Sequence, residues 1–321
     1  MQLLSAKNIE NKILENWVDY QYLFLEFQSN FLSGLYSKYQ SVENGNLVLY
    51  FEKQTHQNIL RKKDYDLNFN ISYDKFWENH HGINPERRSL IKISEDTFLP
   101  KETVRRKVLE LVQQKVINKK NRNIGLLPNE QYKQSYNLFT NIEINGVCKL
   151  ISYICKKMNI SIFREEITDE IKKRFSFYWF HYLETQLDYL RLWSKQINDL
   201  ELCLIFLQVA YLFTSKAKEK NISHNDIYDE PSLFKEFKSA SISIASVSEV
   251  TGIPRATCIR KLEILVKMKI VSRDKISRRY YIIPSAVSNN LISQKITGKV
   301  ISRFSVFFFI CLRAISTKIS N

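Results

Sequence analysis

The side chains best suited to chemistry in this chain are cations, and they come in two sets. Lys101, Thr103, Arg105 and Arg106 stand in "ISEDTFLPKETVRRKVLELVQQKVINKK" (Ile93–Lys120). Arg255, Thr257 and Arg260 stand in "VSEVTGIPRATCIRKLEILVKMKIVSRD" (Val247–Asp274), 154 positions later. Lys and Arg clustered with small hydroxyl residues suit capture of a polyanion, above all a phosphate backbone. Other chemistries find little footing. There is no Gly-rich phosphate loop, HExxH, GxSxG or EF-hand spacing. His80–His81 adjoin Gly82, and adjacent side chains diverge on a helix and alternate on a strand, so a loop pair is expected rather than a metal site. Glu165–Glu166 and Asp169–Glu170 in "REEITDEIKKRF" read as an exposed helix face, since nothing near them in sequence would raise one pKa. No catalytic residue, metal or cofactor is expected, and an enzyme is not the expected class.

Charge follows the repeat. Ser89–Asn123 holds nine Lys/Arg against four Asp/Glu, and Ser243–Ile283 nine against three. The stretch from Pro284 onward has five bases and no acid, which leaves about −1 for the rest of a chain whose net charge is +15. A basic excess so concentrated favours a nucleic-acid partner over a general solubility charge.

The elements that must position these cations can be read from the later copy. Ser248 is expected to cap a short helix with Glu249 in its first turn. Gly252 supplies a turn that a side chain would resist, and Pro254 suits the first turn of a second helix. Cys258, Leu262, Leu265 and Val266 recur at helical spacing, with Arg255, Thr257, Arg260 and Lys261 mostly on the other side. "KIVSRDKISRRYYII" then reads as a hairpin, its arms Ile270–Val271 and Tyr280–Ile283, bearing Arg273, Lys275, Arg278 and Arg279. The first copy, "VINKKNRNIGLL", has a tip two residues shorter, with Lys119, Lys120 and Arg122. Eleven of thirty-one aligned positions are identical: Ser89, Ser94, Glu95, Thr97, Pro100, Thr103, Arg106, Lys107, Leu111, Val112 and Lys115 recur 154 later. Phe98 stands where the later copy has Gly252, so it must avoid positive φ or tolerate it at a cost.

On "SEVTGIPRATCIRKLEILVKMKIV" and "SEDTFLPKETVRRKVLELVQQKVI" the chain resembles the winged helix-turn-helix transcription regulators, the broad kind that includes the MarR and IclR families. The resemblance covers roughly 45 residues in each copy. It implies that Lys101, Glu102, Thr103, Arg105 and Arg106 face DNA in one unit, and Arg255, Ala256, Thr257, Ile259 and Arg260 in the other. It also implies a phosphate contact for Arg106 and Arg260, and base edges for Lys101 or Arg255. Arg105 against Ile259 and Glu102 against Ala256 imply different half-site preferences.

Weaker echoes extend the repeat. Leu47–Gln54 sits against Leu202–Val209 at 155, Leu25–Glu26 and Leu32 against Leu183–Glu184 and Leu190 at 158, and Tyr136–Asn141 against Asn289–Gln294 at 153. One ancestral half copied entire is the expectation. The fold expected is mainly α and internally duplicated, with two winged helix-turn-helix units, each with a small β-hairpin wing, on a helical scaffold. The segments are an N-terminal scaffold (1–85), the first winged helix (86–130), a central scaffold (131–235), the second winged helix (236–288) and a C-terminal hydrophobic, basic helix (289–321). Phe175–Trp193 is expected as core or dimer seam.

Five cysteines without metal spacing read as buried thiols in a reducing compartment. The first residues lack a signal-peptide pattern. Leu200–Phe213 and Phe304–Leu312 are shorter than the roughly 18 apolar residues of a spanning helix. The expectation is a cytoplasmic regulator of transcription that binds double-stranded DNA, with a possible homodimer through the scaffold, no membrane, and an unknown small-molecule effector. Its rivals are a plasmid- or phage-type replication initiator and a winged-helix protein–protein adaptor.

Overall fold

The computed structural model describes residues 4–62, 71–79, 88–120, 123–127, 129–222, 238–283 and 291–319. It is mainly helical, with two small antiparallel sheets. The elements are α1 (Ala6–Glu15), α2 (Trp17–Tyr39), α3 (Val42–Lys62), α4 (Phe76–Asn79), α5 (Leu90–Thr97), α6 (Lys101–Gln113), β1 (Ile117–Lys120), β2 (Asn123–Leu126), α7 (Glu130–Met158), α8 (Arg164–Lys173), α9 (Phe175–Ile197) and α10 (Leu200–Glu219). After them come α11 (Ile244–Thr251), α12 (Arg255–Lys267), β3 (Val271–Arg273), β4 (Tyr280–Ile282) and α13 (Leu291–Ile319).

Element lengths recur in order. α1 and α8 have ten residues each, and α2 and α9 have 23. α5 and α11 have eight each, and α6 and α12 thirteen. The pairs of starts are 158 apart through α10 and 154 apart at α5 and α6. Left-handed residues recur as well: Gln40 with Asn198, Phe98 with Gly252, and Lys115 with Lys269. Non-glycine residues rarely adopt positive φ, so these pairs reflect shared stops rather than composition.

Local chemistry explains the boundaries. Asn129 caps α7 by accepting from Tyr132 N at 2.7 Å, and Asp199 caps α10 by accepting from Leu202 N at 2.9 Å. After α6, the left-handed Lys115 lets Val116 N reach back to Leu111 O at 3.0 Å. Lys269 does the same for Ile270 N and Leu265 O at 3.2 Å, the helix-ending bond usually built on glycine.

The chain divides into two compact units, each drawing on both ends of the sequence. Unit 1 comprises residues 1–9, 43–195 and 302–321; unit 2 comprises 10–42 and 196–301. In unit 2, α2 lies antiparallel along α10: Tyr22 and Tyr211 share a hydroxyl hydrogen bond of 3.1 Å, and Gln208 Nε2 donates to Ser29 Oγ at 2.7 Å. In unit 1, α9 lies antiparallel along α3: Lys53 meets Glu184 at 3.0 Å, and the His56 ring stands edge-on to Phe175. Each pairing joins a helix from the first half of the sequence to one from the second.

Aromatic residues fill the interior of unit 1, where Phe175, Tyr178, Trp179 and Tyr182 of α9 are buried. Burial of such side chains contributes about 1.5–3 kcal/mol each. Glu170 is buried too, accepting from Tyr178 Oη at 3.2 Å and pairing with Arg174 at 3.3 Å, which corrects the expectation that the whole α8 acidic set is exposed. Helical period explains it: Ile167, Glu170 and Ile171 share the inner face. Residues 200–219 satisfy the length and hydropathy of a spanning helix, and two-thirds of that window (67%) is buried within the protein. All five cysteines are buried free thiols, and desolvation pushes the Cys155 thiol up to about 11. His80 and His81 lie outside the described residues, and among those described no His, Cys, Asp and Glu group could hold a metal.

Candidate nucleic-acid interface

The two repeated stretches fold alike, helix, turn, helix, hairpin, and their identical residues make the same bonds. Ser89 and Ser243 are the N-caps of α5 and α11, accepting from Lys92 N at 3.2 Å and Ser246 N at 3.0 Å. Ser248 therefore does not cap the helix: it lies inside α11 and donates to Ile253 O at 2.7 Å across the turn, as Ser94 does to Leu99 O at 2.6 Å. Spacing to the turn alone could not separate these two serines. Thr97 and Thr251 donate back to Ile93 O and Val247 O at 2.7 and 2.6 Å.

The turns are also alike. Phe98 takes φ 58° and Gly252 φ 73°, and the prolines that follow hold φ −54° and −55° with ψ 139° in both. Phe98 thus tolerates the left-handed conformation that glycine adopts freely, with the Arg191 guanidinium 5.5 Å from its ring centroid. Neither turn is widened.

From these turns α6 and α12 project their cations. Lys101, Arg105 and Arg106 of α6, and Arg255 and Arg260 of α12, are exposed, whereas Thr103 and Thr257 are half-buried. Beneath them Val104, Val108 and Leu111 are buried in one copy and Cys258, Leu262 and Leu265 in the other. Lys261 departs from the outward face expected of it. Its side chain is buried, and its ammonium meets Asp199, the N-cap of α10, at 2.7 Å and Glu201 of α10 at 3.2 Å. Its equivalent, Lys107, pairs within α6 with Glu110 at 3.0 Å. Position i+3 from Cys258 put Lys261 on the flank of the apolar stripe, where only the packing against α10 decides its direction.

The two cationic surfaces differ in how far they are neutralised. On α6, Arg105 Nε donates to Glu102 at 2.8 Å and Arg106 meets Glu110 at 3.4 Å. The Glu102 carboxyl is held below its usual range by that hydrogen bond from Arg105. On α12 the equivalent positions are Ala256 and Ile264, and Arg255 and Arg260 form no ion pair among the described residues.

The hairpins complete each surface. β1 pairs with β2 in the register Lys120↔Asn123, leaving Lys119 and Lys120 exposed; Arg122 lies outside the described residues. β3 pairs with β4 in the register Arg273↔Tyr280. Between them Asp274 accepts from Ile276 N at 3.1 Å, Ser277 N at 2.7 Å and Ser277 Oγ at 2.9 Å, and also pairs with Lys238. Lys238 and the Ser277 bonds hold its carboxyl well below the usual carboxylate range. Sequence reasoning missed this role; an aspartate opening a turn before a serine three residues on is the available signal. Lys275 and Arg278 project from this turn into solvent, Arg278 at φ 56°. Arg273 and Arg279 are partly committed elsewhere. Arg273 meets Glu263 at 3.5 Å, and Arg279 donates to Ser241 O at 2.7 Å.

Each cationic set thus has a rigid base, in which the turn, the buried helix face and the hairpin are fixed by short hydrogen bonds. Such a surface can order several cations against a run of phosphates. The chain matches no protein-family model, and no curated protein or solved structure is significantly similar to it.

Proposed function

We propose that the chain is a sequence-specific regulator of transcription that binds double-stranded DNA through two non-equivalent winged helices, and that it acts in the cytoplasm. α6 and α12 would enter the major groove, and the hairpins would grip phosphates as wings. The observation that carries the reading is the shared construction of the two units. Serine caps, cross-turn serines, left-handed turn residues and buried stripes repeat, and an exposed basic face remains above each. The recurring helix lengths support descent from one duplicated half. A fused duplicate carries two recognition helices in one chain, as dimeric regulators do with two. Arginines paired on α6 but not on α12 favour unequal half-sites.

The test is selection of bound sequences from random duplex DNA across a salt series, with Arg260→Ala and Arg106→Ala beside the native protein. Each phosphate contact contributes about 0.9 to the slope of log K against log salt. Arg260→Ala is expected to lose about that much. Arg106→Ala is expected to lose less affinity, because its arginine must first leave Glu110, a pair worth about 0.3–0.5 kcal/mol. A two-part inverted motif at a promoter supports a regulator; direct repeats at an origin would point to an initiator instead. Weak, unselective binding at low salt, or an unchanged slope in Arg260→Ala, refutes the DNA-binding reading.

A further inference from the structure

Unit 1 contains a cleft of about 490 Å³ between α3, α5, α9 and α13, a volume suited to a small metabolite. Its walls carry both signs of charge. Glu184, Asp188 and Arg191 of α9 stand at i, i+4 and i+7, on one helix face, and all three line the cleft. Glu184 meets Lys53 of α3 at 3.0 Å. Asp188 is shared by two arginines, Arg191 at 2.6 Å and Arg303 of α13 at 3.2 Å. One carboxylate between two guanidinium groups leaves a positive surplus there. Glu95 and Asp96 of α5 add carboxylates to the lining, and Val306 and Ile310 of α13 add apolar surface.

We propose that this cleft binds a small zwitterion, carboxylate on Arg191 and Arg303 and ammonium on Glu184. Seven residues of helix separate Glu184 from Arg191 by about 10 Å along the axis. With Asp188 between them, the two groups call for a ligand whose own charges are several bonds apart. That is the spacing of an ω-amino acid or a dipeptide, wider than an α-amino acid allows. Arg303 and Glu184 are 58% and 47% accessible, so each can take a ligand group while keeping its present partner, Asp188 or Lys53.

The site has a built-in readout, which rests on the DNA-binding reading above. Arg191 reaches both ways: it bonds Asp188 in the cleft, and it covers the ring of Phe98, the left-handed residue of the α5–α6 turn. A ligand carboxylate that draws Arg191 into the cleft uncovers that ring and loosens the turn that aims α6.

The experiment is calorimetric titration of the full chain with 5-aminovalerate and with glycylvaline, against valerate and pentylamine as single-charge controls. At least one zwitterion should bind, and each control should bind about tenfold more weakly or worse. Arg303→Ala and Glu184→Gln, both at partly exposed positions, should each weaken the zwitterion by about tenfold. Hydrogen exchange of the Thr97–Lys101 backbone should speed up on binding in the native protein and stay unchanged in Phe98→Gly. Binding of neither zwitterion, or equal binding of valerate, overturns the site; binding without any change at the turn overturns the coupling. Because neither readout uses DNA, failure of the DNA-binding reading remains a separate result.

Discussion

Lys261→Met is the sharpest test of how unit 2 is held together. The native lysine side chain is 7% accessible, and its ammonium lies 2.7 Å from Asp199 and 3.2 Å from Glu201. Methionine preserves most of the buried stem, so the main loss is electrostatic: two carboxylates remain side by side without their cation. Removing one partner of a fully buried pair costs about 3–5 kcal/mol. Here the carboxylates keep 28% and 21% of their side-chain surface, so water recovers part of that, and a cost of about 2–3 kcal/mol is expected. Lys107→Met should cost only about 1 kcal/mol or less, because Glu110 is 33% accessible and keeps Asn44 and Arg106 as partners. The assay is urea unfolding at neutral pH, read by far-ultraviolet circular dichroism and by tryptophan fluorescence. Adding Asp199→Asn to Lys261→Met should recover at least half of the loss, since asparagine still caps α10 and one carboxylate repulsion disappears. If Lys261→Met costs less than about 0.5 kcal/mol, or the double variant is no better, the buried-pair reasoning is wrong.

Gly252→Ala is expected to cost about 1–2 kcal/mol in unfolding midpoint analysis, entirely from its φ of 73°, because a Cβ there would meet Tyr36 Cδ1 at an ordinary 3.6 Å. Phe98→Gly should be within about 1 kcal/mol of native, the relieved left-handed strain being offset by loss of the Arg191 contact. Asp274 has a depressed folded pKa, so its contribution to stability is present above its unfolded value of about 4 and is lost as pH falls below it. The native protein should therefore lead Asp274→Asn in thermal midpoint at neutral pH, and the lead should shrink on acidification; a lead independent of pH would exclude the ionised carboxylate as its source.

How far the sequence could be read depended on whether a feature was local. The helix–turn–helix–hairpin runs were legible because period, proline and turn residues are encoded within about 30 positions, and the second hairpin falls within a residue or two of the expected arms, while Lys119 and Lys120, expected at the tip of the first, lie in its paired strand. Ser243 and Ser248 were confused because both precede helical spacing and only the bond each makes distinguishes them. Lys261 and Glu170 went astray for a different reason. Lys261 lies at the edge of an apolar stripe and is drawn inward by Asp199, 62 positions away, whereas Glu170 shares the inner face of α8 with Ile167 and Ile171 and meets Tyr178, eight positions on in the next helix. The left-handed Lys115, Lys269 and Gln40 carry no glycine to announce them. Nor does anything in a local window say that α2 pairs with α10 and α3 with α9.

That exchange of partners leads to a last prediction. On the duplication proposed above, α2 corresponds to α9 and α3 to α10, so both antiparallel pairings are the same contact made twice. A fragment ending after α7 at Asn159 retains α2 and α3 but lacks α9 and α10. The apolar faces of its two long helices, including Tyr20, Phe31, Leu32 and Leu35 on α2 and Leu47, Val48 and Phe51 on α3, would lose their partners. Leaving seven such side chains in water costs on the order of 10 kcal/mol at about 1.5–3 kcal/mol each, comparable with the whole stability of a domain. The equivalent surface is available on a second copy of the same fragment, α2 of one against α3 of the other. The fragment should therefore sediment as a dimer whose helicity falls on dilution, and equimolar addition of the complementary fragment, from Ile160 onward, should convert the dimer to a heterodimer. A concentration-independent, folded monomer would mean that α2 and α3 close on each other within one half, and that the exchange seen in the full chain is a consequence of fusion rather than the ancestral arrangement.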